Sequence, residues 1–74
     1  MGRLTGLTYA DVTRKLRKIG FAYDRQAKGS HEIWRQAATG RKTTVGNHGG
    51  HIPEGTIRAI VRQTGLTVDE FLAL

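Results

Sequence analysis

Apolar residues along this chain follow two different spacings, and each predicts its own kind of element. Tyr9, Val12, Leu16 and Ile19 recur every three or four positions, which lays one apolar stripe along a helix. Thr8 is a good N-cap for that helix, with Asp11 three residues on as an imperfect capping box, and Gly20 is the expected stop. From Phe21 to Val45 the helical spacing gives way to short extended pieces. Phe21–Arg25, His31–Arg35 and Lys42–Val45 read as three strands, the last rich in β-branched residues. Lys28-Gly29-Ser30 and Thr39-Gly40 supply the turns, so the strands form an antiparallel meander. Strict alternation puts His31 and Ile33 on one face of the second strand and Trp34 on the other, where it reads as core.

Gly46–Ile52 is a glycine-rich loop, and Pro53 is placed to begin a helix, where its missing N–H costs nothing. Ile57, Ile60 and Val61 form the inward stripe of that helix, Arg58 and Arg62 share one flank, and Gly65 ends it. Thr67-Val-Asp-Glu70 is a capping box for a short last helix carrying Phe71 and Leu72. The expected class is therefore α+β, in the order α-β-β-β-α with a short extra C-terminal helix. Both long helices have a single apolar stripe, so they should share one face of the three-stranded antiparallel sheet.

Composition narrows the function classes. The 74 residues are read as one domain, 1–74, with no repeat, linker or low-complexity segment, and with a net stability of about 3–5 kcal/mol. There is no cysteine, which excludes disulfides and thiolate metal sites and fits a reducing cytosol. The opening MGRLTGLTYADVT is too polar for a signal peptide, and no apolar run reaches membrane-spanning length, so a cytoplasmic protein without a membrane partner is expected.

Charge changes the picture most. Twelve Lys and Arg against six Asp and Glu give a net charge of +6, and the obvious polyanion in a cytosol is nucleic acid. Arg14, Lys15, Lys18, Arg25, Lys28, Arg35, Arg58 and Arg62 are candidate phosphate contacts. A DNA reader is the weakest reading, because no helix-turn-helix pattern with polar recognition residues is present.

RNA can be cut without a metal by driving its own 2′-hydroxyl onto the adjacent phosphate. That needs a base, an acid and positive charge for the phosphorane. Histidine, with an ordinary pKa of roughly 6.5, has both forms available near neutrality. His31 follows a Gly-Ser turn where backbone can approach a phosphate, and Lys28 and Ser30 beside it can donate to phosphate oxygens. Most strand histidines are not catalytic, so on the residues alone a strand histidine making one ordinary hydrogen bond is the better reading of His31. His48 and His51, three apart, invite a zinc reading together with His31, but neither cysteine nor clustered carboxylate accompanies them. No metal or cofactor is expected; the two histidines read first as polar loop residues, with a phosphate contact or a second proton-transfer group as the alternative for His48.

Several motifs in order resemble one known family. Leu16-Arg-Lys-Ile-Gly-Phe21 is similar to the helix-to-strand corner of the HicA toxins, and Arg25-Gln-Ala-Lys-Gly-Ser-His31 to their R-Q-x-K-G-S-H segment. Val45-Gly-Asn-His48 resembles a V-P-x-H stretch, with Gly46 where the family usually has proline. Ile52–Gly65 resembles the opening and body of the last long helix, and the whole set spans residues 8–72. The resemblance implies a version of the double-stranded-RNA-binding-domain fold and a ribosome-independent mRNA interferase neutralised by a HicB-type antitoxin. It implies His31 as the catalytic residue. Arg25, Lys28, Gly29, Ser30, Arg35 and His48 are then the expected RNA contacts. The alternative is a non-catalytic RNA-binding module of the same fold. Such modules bind duplex RNA through cations at the start of the second long helix, which here reads Pro53-Glu54-Gly55 without a lysine cluster.

Overall fold

In the computed structural model, which describes residues 3–74, the first apolar stripe forms α1 (Tyr9–Lys18). Its capping box is complete, although aspartate stands where the longer glutamate is usual. The Thr8 N–H and hydroxyl both donate to Asp11 Oδ2 at 3.0 Å, and the Asp11 N–H donates back to Thr8 Oγ1 at 3.2 Å. Those bonds hold the Asp11 carboxyl below its ordinary range. Val12 and Leu16 are buried, and Gly20 turns the chain out of the helix at a φ of +91°.

The three strands are β1 (Phe21–Gln26), β2 (His31–Gln36) and β3 (Lys42–Gly46), paired antiparallel in chain order. Alternation divides them as expected: Glu32 and Trp34 of β2 and Thr43 and Val45 of β3 are buried, while His31 and Arg35 are exposed. One irregularity matters. Tyr23 lies opposite Trp34 but Arg25 lies opposite Ile33, so Asp24 is an extra residue in β1. That bulge moves Arg25 off the face of Phe21 and Tyr23 and onto the open face with His31, Ile33 and Arg35.

Helix α2 (Glu54–Thr64) buries Ile57, Ile60 and Val61, and the short α3 (Val68–Leu72) buries Phe71 behind its Thr67–Glu70 capping box. These residues join Val12, Leu16, Phe21, Trp34 and Val45 in one cluster, which places both long helices on one face of the sheet. Leu4, fully buried, belongs to the same cluster and had no periodic partner to betray it in the sequence. The segment carrying it is fastened by the Ile52 N–H, which donates to the Leu7 carbonyl at 2.8 Å, and by a bridge between Thr8 and His51.

Lys15 corrects one expectation. It is not an exposed phosphate contact but a buried side chain, 5% accessible. Its ammonium donates to the Leu72 and Leu74 carbonyls at 3.1 and 3.0 Å and lies 5.9 Å over the Phe71 ring. The reason is that the flank of α1 packs on the carbonyl end of α3, where a cation is favoured. Burial, followed by the charges of Arg14 and Lys18, lowers its pKa. Lys15→Ala should lower stability by about 1–3 kcal/mol in urea unfolding, since it removes charged hydrogen bonds from a dry site. Lys18→Ala, on the exposed face of the same helix, should cost less than about 0.5 kcal/mol.

Candidate active site

Strand pairing brings the first histidine to a particular place. The Ala27 N–H donates to the His31 carbonyl, and the Asn47 N–H donates to the Ser30 carbonyl, both at 2.8 Å. The peptide groups of His31 therefore face β1. Its pairing with Gly46 across the β2–β3 edge is accordingly of the non-hydrogen-bonded kind, in which side chains approach most closely. In such a pair the Cβ positions lie about 4.5–5.5 Å apart.

Gly46 has no Cβ, and His48 uses the space. A Cβ built at Gly46 would stand 2.7 Å from His48 Nε2 and 3.3 Å from its Cε1. The His48 imidazole thus lies over Gly46, at the position where a side chain facing His31 would otherwise be. Two histidines separated by sixteen intervening residues are brought to the same end of the strand pair, where glycine at position 46 leaves room for the His48 ring. A substituent at position 46 would displace the ring.

Both histidines open onto a cleft of about 610 Å³. Thr44 and Gly46 form its β3 side, and Ile52, Pro53, Gly55, Thr56, Ala59, Ile60 and Gln63 form its α2 side. His51 does not line it; its backbone pairs with that of Thr8. Among the described residues no group of three or more His, Cys, Asp or Glu side chains is arranged to hold a metal ion.

Behind the histidines a buried carboxylate holds the backbone. Glu32 Oε1 accepts from the Tyr9 hydroxyl at 2.7 Å and from Trp34 Nε1 at 3.0 Å, and Oε2 accepts from Asn47 Nδ2 at 3.0 Å. Burial pushes the Glu32 carboxyl up, but these three donors and the nearby Arg17 charge outweigh it, and its pKa lies below the ordinary value. Tyr9 is pushed up to about 12, by burial first and then by its bond to Glu32. The Arg17 guanidinium lies 5.0 Å over the Trp34 ring, which is 1% accessible and hence core. Glu32 follows His31 in the chain and Asn47 precedes His48, so one carboxylate steadies both.

The other expected contacts are spread more widely. Lys28, Gly29 and Ser30 form the exposed turn leading into His31, with Gly29 at a φ of +63° and its carbonyl accepting from Gln26 Nε2 at 2.7 Å. Arg25 and Arg35 lie along the open face, Arg35 about 13 Å along the strand from His31. Arg25 pairs with its neighbour Asp24 at 2.6 Å, and Arg58 with Glu54 at 2.9 Å, all four exposed. The sequence reading missed Glu32, Thr44, Thr56 and Gln63. Alternation with Trp34 did mark Glu32 as a carboxylate on the core face, whereas nothing local marks the others.

The sequence pattern of the family described as HicA toxin of bacterial toxin-antitoxin matches residues 9–66, a span that includes both histidines and every cleft residue. No curated protein matches the chain.

The Glu32 carboxyl yields a pH prediction. Its folded pKa lies below the ordinary 4.5, so folding favours the ionised form. That contribution is complete above the ordinary value and disappears as pH falls through the lowered one. Thermal melts should show a midpoint falling below about pH 4.5. Glu32→Gln should melt lower at pH 7 and show a shallower acid limb, the remainder coming from groups such as Asp11. Equal acid limbs would place the titration elsewhere.

Proposed function

The chain belongs to the HicA family of toxins from bacterial toxin–antitoxin systems; from that premise we propose that it is a ribosome-independent mRNA interferase with His31 as general acid or base. The observation that carries this reading is that His31 and His48, grouped around Gly46, line one cleft on a chain of net charge +6.

Two imidazoles supply what the reaction needs. One takes the proton of the ribose 2′-hydroxyl as O2′ attacks phosphorus. The P–O5′ bond breaks, and the other imidazole, in its protonated form, gives a proton to O5′. The products are a 2′,3′-cyclic phosphate and a 5′-hydroxyl, so no water and no metal ion enter the step. Lys28, Ser30 and the backbone at Gly29 adjoin His31 and stabilise the charge that builds on the phosphorane. Arg25 and Arg35 hold flanking phosphates along the open face. The antitoxin, a HicB-type protein, silences the enzyme in the cytoplasm by covering this site.

Cleavage of a long single-stranded RNA in the presence of a strong chelator tests the reading. The wild type should cut it, and His31→Ala should be slower by at least about 10²-fold while still shifting RNA in a gel. Equal rates would remove His31 from the mechanism, and binding without cleavage by the wild type would leave an RNA-binding module. Binding should also weaken steeply with salt. Arg35→Ala should reduce the slope of log K against log salt by about 0.7, the value of one single-strand phosphate contact.

A further inference from the structure

We infer that the cleft beside His31 and His48 is a nucleobase pocket, and that Gln63 reads the base lodged there. The inference rests on the RNA-cleaving reading and adds to it the part of the substrate that confers sequence preference.

Chemistry decides what the cleft takes. Among the described residues lining it none is Lys, Arg, Asp or Glu, although the chain as a whole is strongly cationic. A phosphate would find better company at Lys28 or on the open face. What suits the cleft is the flat, uncharged part of a nucleotide. Ile52, Pro53, Ala59 and Ile60 offer apolar surface on which a base can pack, and its volume of about 610 Å³ admits one. The two histidines stand at one side of the same cleft, so a base held there keeps its own phosphodiester within their reach.

Gln63 is the side chain suited to read that base. The buried Thr43 hydroxyl donates to Gln63 Oε1, which fixes which end of the amide is occupied. The Nε2 hydrogens remain to donate, and they meet an acceptor on the base edge. The recognition is therefore polar and directional, and it comes from the third turn of a helix rather than from a loop.

Two measurements test this. In the first, cut sites on one long RNA are mapped for the wild type, Gln63→Ala and Gln63→Glu. Gln63→Glu keeps an oxygen for Thr43 but replaces donors with an acceptor. The wild type should prefer particular bases beside the cut by about tenfold or more, Gln63→Ala should flatten that preference, and Gln63→Glu should shift it toward bases bearing an exocyclic amino group. Superimposable cut-site patterns would overturn the assignment. In the second, amide spectra are recorded while the four nucleoside 3′-monophosphates, and ribose 5-phosphate as an abasic probe, are titrated in. The nucleotides should move the Gln63 side-chain amide and the Thr56 and Ala59 backbone amides, whereas the abasic probe should leave these unmoved. Identical shifts from both kinds of probe would refute the pocket. Nucleotide binding at Gln63 by a protein that cuts no RNA would instead refute the nuclease and leave the pocket standing.

Discussion

A carboxylate that water hardly reaches must find hydrogen-bond donors or give up its charge, and Glu32, 6% accessible, finds them on three separate parts of the chain. Tyr9 comes from the first turn of α1, Trp34 from the centre of the sheet, and Asn47 from the loop after β3. Satisfying this one group therefore fixes how α1 lies on the sheet and where the loop leaves it. Because Glu32 adjoins His31 and Asn47 adjoins His48, the demand for donors in the interior sets the geometry at the surface. The arrangement of the two histidines is downstream of a packing constraint.

A second consequence concerns which face each residue occupies. The extra residue at Asp24 rotates the end of β1, so Arg25 joins His31 and Arg35 on the face turned away from α1 and α2. Helix α2, packed beside β3, builds the neutral wall of the cleft at the edge of that face. Cationic surface and uncharged cleft thus lie on either side of the two histidines. That division matches the division of a nucleotide into phosphate and base.

Much of this was legible in the sequence because local rules govern it. Thr8, Gly20, Gly65 and the Thr67–Glu70 box mark helix ends through bonds and φ values confined to a few residues, and alternation put His31 and Trp34 on different faces of β2. What the sequence hid depends on partners far along the chain. Lys15 looked like a surface cation because its acceptors are 57 and 59 residues away. Gly46 stood out only as a glycine in the place of the family's usual proline. Its effect, room for the His48 ring beside His31, appears only when β2 and β3 are paired. Gln63 carries no local mark in the sequence, because its partner Thr43 lies twenty residues away on β3.

The central claim is that His31 and His48 act on one and the same phosphate. The most direct measurement is to titrate the protein with a dinucleoside monophosphate lacking the 2′-hydroxyl, which cannot be cut, while following the three imidazole Cε1–H resonances. The account predicts that the His31 and His48 signals move together along one binding curve and that the signal of His51, which does not line the cleft, stays where it is. Movement of His31 alone, or of all three alike, would contradict it.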